Sequence, residues 1–66
     1  MNDTIFAALK QGPRAHREMA ERVAYRLGRD EGSGLEYTYR SLTDAELALA
    51  LERRGWTWAD VLRAES

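Results

Sequence analysis

The sequence predicts a mainly α fold. It reads as a small bundle of three to four helices with a C-terminal helix-turn-helix-like hairpin and one short extended segment at 35–40. Three observations carry this. Met19, Val23 and Leu27 recur at four-residue intervals, the spacing that stacks side chains on one helix face. Thr43 and Thr57 are each followed three residues later by an acid, Glu46 and Asp60, the pattern of a capped helix start. Only one segment, 35–40, alternates with the period of a strand.

Asn2 or Asp3 is placed to cap a first helix over about 4–10, with Ile5, Phe6 and Leu9 on one side. Gly12-Pro13 ends it, because proline cannot continue a helix and glycine suits the turn after one. Pro13 is then a suitable first residue for a second helix over about 13–27. The apolar face of that helix holds His16, Met19, Ala20, Val23 and Leu27, and Gly28 is the expected stop. Its opposite face holds Arg14, Glu18, Glu21, Tyr25 and Arg29, flanked by Arg22 and Arg26.

After a glycine-rich loop, Leu35, Tyr37 and Tyr39 alternate with Glu36, Thr38 and Arg40. A lone strand leaves its backbone groups unpaired. Three outcomes are open for it: a packed extended loop, pairing with its counterpart in a symmetric dimer, or addition to a partner's sheet edge. The last third repeats one grammar. Thr43 opens a helix over 44–54 that ends at Gly55, with Leu42 stapling onto Leu47. Thr57 opens a shorter helix over about 58–64, with Trp56 stapling onto Val61. A turn of about three residues between them gives a sharp hairpin. The segment 42–62 resembles the helix-turn-helix segments of small bacterial and phage regulators, a grammar too widely shared to single out one family.

The predicted core is Ile5, Phe6, Leu9, Met19, Val23, Leu27, Leu35, Leu42, Leu47, Leu51, Trp56, Val61 and Leu62. Leu49 points away from Leu47 and Leu51, so either the first helix covers it or it belongs to an interface. At 66 residues the chain is one small domain, 1–66, that buries only about 60% of its unfolded surface. With no cysteine it has neither disulfides nor thiolate zinc sites to add stability. Association with a partner or a second copy is the remaining source. No apolar run reaches the ~20 residues of a membrane span and no signal pattern opens the chain, so the expectation is cytoplasmic, with no membrane contact.

The net charge of −1 is a cancellation. Residues 1–29 carry six bases against three acids, and residues 30–66 carry four bases against eight acids. In a chain this short, mutual neutralisation of the two parts is the simpler reading, and two faces for different partners the sharper one.

Little points to catalysis. His16 is the only histidine, so no second histidine or cysteine completes a transition-metal site. Ser33 and Ser41 have no triad context, and Gly32-Ser33-Gly34 is too short for a phosphate cradle. No catalytic residue, cofactor or metal is expected. The stretch 58–65 holds one arginine and two acids, and none of the Asn, Gln, Ser or Lys that read base edges. Tyrosine and arginine are enriched at protein-binding hot spots. The leading expectation is therefore a small non-enzymatic interaction module, an adaptor, regulator or inhibitor of a larger protein. Its contact residues would be Arg14, Arg22, Arg26, Arg29, Tyr37, Tyr39, Arg40 and Trp58. Trp58 has a competing reading as a lid over the turn. The alternative is a dimeric helix-turn-helix DNA-binding transcriptional regulator, with nucleic acid as a less favoured partner.

Overall fold

A computed structural model of the chain describes residues 4–66, which form five helices and no strand. They are α1 (Ile5–Gln11), α2 (Arg14–Glu31), α3 (Leu35–Thr38), α4 (Asp44–Glu52) and α5 (Trp58–Glu65). The mainly α expectation holds. The second helix is the spine: α1, α3, α4 and α5 all pack on α2, and α1 also packs on α4. The buried core consists of Ile5 and Leu9 from α1, Ala20, Val23 and Ala24 from α2, Leu35 from α3, Leu47, Ala48 and Leu51 from α4, and Val61 from α5.

The helix starts follow the local chemistry. The Thr4 hydroxyl accepts from the Ala7 amide, so Thr4 is the cap of α1; Asn2 and Asp3, the expected caps, lie outside the described residues. Both capping boxes are present. The Thr43 hydroxyl accepts from the Glu46 amide while Glu46 accepts from the Thr43 amide, and Thr57 and Asp60 repeat the exchange. Pro13 stands one residue before α2 with extended backbone rather than inside its first turn.

Three expectations are corrected. First, the segment 35–40 is not extended: Leu35–Thr38 is a turn of helix, and Tyr39 continues with helical backbone angles. Leu35 and Tyr39 are four residues apart, so both a strand and a helix place them on the same side. Tyr37 discriminates. A strand would bury it beside them, whereas here it is 85% exposed. The unpaired strand, and the argument for association drawn from it, disappear.

Second, Gly28 does not end α2. The helix runs one turn further to Gly32, whose φ of 66° is the left-handed stop, and the amides of Gly32 and Ser33 both reach the Gly28 carbonyl (2.8 and 3.3 Å). Gly28 serves packing instead. A Cβ there would lie 2.3 Å from the Glu36 amide nitrogen and 2.9 Å from the Leu35 carbonyl carbon, so only glycine lets α3 come this close to α2. The same closeness seals in one carboxylate oxygen of Glu36, Oε1, which is buried without a hydrogen-bond partner among the described residues.

Third, the core is shifted toward small residues. Phe6 (39% exposed) and Leu62 (43%) stand at the edge, while Ala20, Ala24 and Ala48 are buried and let α2 approach its neighbours. Met19, Leu27, Leu42 and Trp56 are half-buried against the core. Between α4 and α5 five residues, 53–57, lie outside the helices rather than three, with Gly55 at φ 82°.

Candidate interaction surface

The eight nominated residues separate into groups once folded. Arg22 and Arg26 are committed to a partner within the chain. Glu65 is forked between them, taking Arg22 Nε at 2.6 Å on one oxygen and Arg26 at 2.8 Å on the other. Arg26 also reaches the Ala64 carbonyl at 3.4 Å. Basic α2 and the C-terminal end of α5 are thus tied together, which is the neutralisation that the charge split suggested. Arg14 forms only a loose pair with Glu18 at 3.9 Å, one turn along the exposed face.

Arg29, Tyr39 and Arg40 converge through Tyr25, which was read on the polar face of α2 but not nominated. Tyr25 and Tyr39 meet edge to face at 5.8 Å between ring centres. The Arg29 guanidinium lies 5.7 Å from the centre of the Tyr25 ring, and that of Arg40 lies 5.7 Å from the Tyr39 ring. Neither arginine has a carboxylate partner among the described residues. Beside this cluster is a shallow hollow of about 520 Å³ lined by Arg14, Glu18, Glu21, Arg22, Tyr39 and Arg40. Tyr37 projects from the same short helix, α3. The spacing of Tyr25 four residues before Arg29 is the sequence signal that would have found it.

Trp58 stands elsewhere. It is half-buried, its ring 4.6 Å from His16, and the two border a groove with Ala7, Ala8, Gln11 and Gly12 of the first helix and its end. His16 Nδ1 lies 3.0 Å from the Ala8 carbonyl oxygen, a contact that joins α2 to α1. Trp58 therefore lies against the joint between α1 and α2, which is neither of the two places read for it, a lid over the α4–α5 turn or a free anchor.

One residue missed among the candidates holds the surface in place. Arg17 donates to Glu21 (2.9 Å), to Asp44 (2.8 Å) and to the carbonyls of Tyr39 (3.3 Å), Arg40 (3.4 Å) and Leu42 (2.7 Å). Burial works against its charge, but the hydrogen bonds it donates to Glu21 and Asp44 outweigh that and raise its pKa above the ordinary arginine value. It fastens the turn carrying Tyr39 and Arg40 to α2.

Two carboxylates have lowered pKa values. Arg54 donates to both oxygens of Glu31 (2.8 and 2.9 Å), which holds Glu31 below its ordinary 4.5. The Thr57 amide, donating to Asp60, does the same from an ordinary 3.8, with the Thr57 hydroxyl and Arg63 adding to it. A depressed carboxylate stabilises the fold above its unfolded pKa and loses that contribution as pH falls through its folded one. The melting temperature is therefore expected to hold as pH falls to about 4.5 and to decline below it. Arg54→Gln combined with Asp60→Asn should make that decline shallower in a pH series of thermal melts; an unchanged slope would assign the acid sensitivity to other groups.

No group of three or more potential ligands among the described residues is arranged to hold a metal ion. No described helix is long and apolar enough to cross a membrane. What the surface offers chemically is flat tyrosine area with two guanidiniums stacked on it, suited to carboxylates and apolar side chains together. Neither a protein-family model, nor a curated protein, nor a solved structure matches the chain.

Proposed function

We propose that the protein is a small non-enzymatic interaction module that binds an acidic patch on a larger protein through the face shared by α2 and α3. One observation carries the reading. Arg29 and Arg40 lie over the rings of Tyr25 and Tyr39 and have no carboxylate partner among the described residues, and Tyr37, 85% exposed, stands out from the far side of the short helix α3. An aromatic that gains nothing from the fold and two arginines lying over tyrosine rings are the residue types that anchor protein interfaces. Arg14 extends the face, while Arg22 and Arg26 contribute only the charge left over from Glu65.

The reading ranks above a helix-turn-helix regulator built from α4 and α5. In that alternative α5 would enter the major groove, yet its one arginine, Arg63, is paired with Asp60, and Leu62 is its exposed apolar residue. A phosphate-facing surface would also need Arg22 and Arg26, and Glu65 offsets one of their two charges.

Affinity capture on the immobilised chain tests the reading. A single stoichiometric protein is expected, and Tyr37→Ala should weaken its binding by about thirtyfold, a hot-spot loss, without moving the thermal melt. Retention of random duplex DNA at low salt, with a steep loss on adding salt, would favour the regulator instead.

A further inference from the structure

The sequence left Leu49 with two destinations, and α1 does not cover it: Leu49 is 48% exposed. It lies on a helix, α4, with six apolar residues in nine. Leu47, Ala48 and Leu51 form the buried stripe, and Glu46, Leu49, Ala50 and Arg53 form the opposite one. A helix apolar on both sides is normally buried on both. Here the second side opens onto a groove of about 490 Å³ whose apolar lining includes Leu35, Leu42, Leu49 and Ala50.

The charges at its two ends single out one occupant. Glu46 precedes Leu49 by three residues, and Arg53 follows Ala50 by three. Seven residues separate the two charges, two helical turns or about 10.5 Å, with their midpoint between Leu49 and Ala50. A two-fold axis at that midpoint, with the two α4 helices antiparallel, places Glu46 of each copy opposite Arg53 of the other. Both charges are available. Among the described residues Arg53 has no carboxylate partner, and Glu46 uses Oε1 for the Thr43 amide and has no partner for Oε2. A foreign acidic or basic segment would satisfy one end and repel at the other. The pattern is complementary to itself, as an isologous interface requires.

We propose that the outer face of α4 is a homodimer interface, in which α4 packs antiparallel on α4 of a second copy about an axis beside Leu49 and Ala50. Leu49 of each copy seats in the groove of the other, next to Leu42. A standard interface of about 800 Å² per partner would take roughly a fifth of the 4337 Å² surface of the chain, so the dimer is expected to be of modest size and affinity. The inference does not depend on the function proposed above, whose contact residues Arg29, Tyr37, Tyr39 and Arg40 do not line this groove.

Sedimentation equilibrium of the full chain from micromolar to millimolar concentration reads it directly. A monomer–dimer equilibrium is expected, and Leu49→Glu should abolish it while leaving the thermal melt of the monomer unchanged. Arg53→Glu should weaken it by about tenfold or more, since each copy then faces Glu46 with a like charge. The natural sequence has no cysteine, so one introduced thiol reports alone. Ala50→Cys is expected to give a disulfide-linked dimer on mild oxidation, and Asp30→Cys is expected not to. A monomer at every concentration overturns the proposal. So does a dimer that survives Leu49→Glu or Arg53→Glu, or one that cross-links through position 30 instead of 50.

Discussion

Replacing Arg17 by methionine is expected to lower the unfolding free energy by about 3 kcal/mol, measured by urea denaturation. The side chain is only 17% exposed and satisfies two carboxylates and three carbonyls at once. Methionine keeps the stem that packs along α2 and removes every donor. Hydrogen bonds to charged groups contribute about 1.5–3 kcal/mol each, but the exposed part of the Asp44 pair is screened and adds less. Since a domain of this size has on the order of 3–10 kcal/mol in total, the loss should appear as a fall of roughly 15 °C in melting temperature. Arg17→Lys sharpens the test. It restores the charge but not the planar fork, and one ammonium cannot reach Glu21, Asp44 and the Leu42 carbonyl together. It should recover less than half of the loss. Full recovery by lysine would show that charge alone matters and that the fastening of the 39–42 turn is incidental.

The second large effect has a sign opposite to what helix propensity gives. Gly28 lies inside an 18-residue helix, where exchange of glycine for alanine ordinarily stabilises by about 1 kcal/mol. Here Gly28→Ala is expected to destabilise by about 2 kcal/mol, because the new methyl group meets the backbone of Leu35 and Glu36 rather than a side chain able to swing away. The two helices must separate, and Leu35 leaves the core with α3. The measurement is the denaturation midpoint, and a more stable variant would mean that α3 is free to retreat. Tyr37 and Tyr39 belong to the displaced segment, so partner binding should fall along with stability.

The two substitutions mark where sequence reasoning succeeded and where it stopped. Helix starts were legible because a capping box is a local exchange between residues three apart, and Thr43-Glu46 and Thr57-Asp60 form it as read. The four-residue recurrence of Met19, Val23 and Leu27 located the spine for the same reason. Gly28 misled because the chemistry of a helix stop and that of a close crossing demand the same residue. What separates them is the element packed against it, here α3, which no local pattern announces. The alternation at 35–40 failed similarly: six residues are too few to distinguish period two from period 3.6 when Leu35 and Tyr39 satisfy both. Of the candidate surface, the residue types were readable, but their grouping was not. Arg22 and Arg26 looked like the most basic stretch of the chain until Glu65, some forty positions later, came to lie between them. Arg17 looked like one more surface base, and its role depends on a turn more than twenty residues away.

The position of α2 at the centre has a consequence for how the molecule comes apart. Every other helix uses α2 as a wall, and among them only α1 and α4 also share a substantial contact. Fraying of α5 or α3 exposes one stripe of α2 and leaves the remaining walls standing. Loss of α2 itself removes a wall from all four at once. Partial opening is therefore confined to the periphery, and the centre opens only when everything does, which makes the middle turns of α2, around Ala20 to Ala24, the last backbone to exchange its amide hydrogens with water. The face nominated for a partner joins the outer side of that same helix to α3, so a bound partner would grip together the last element to open and one of the first to fray.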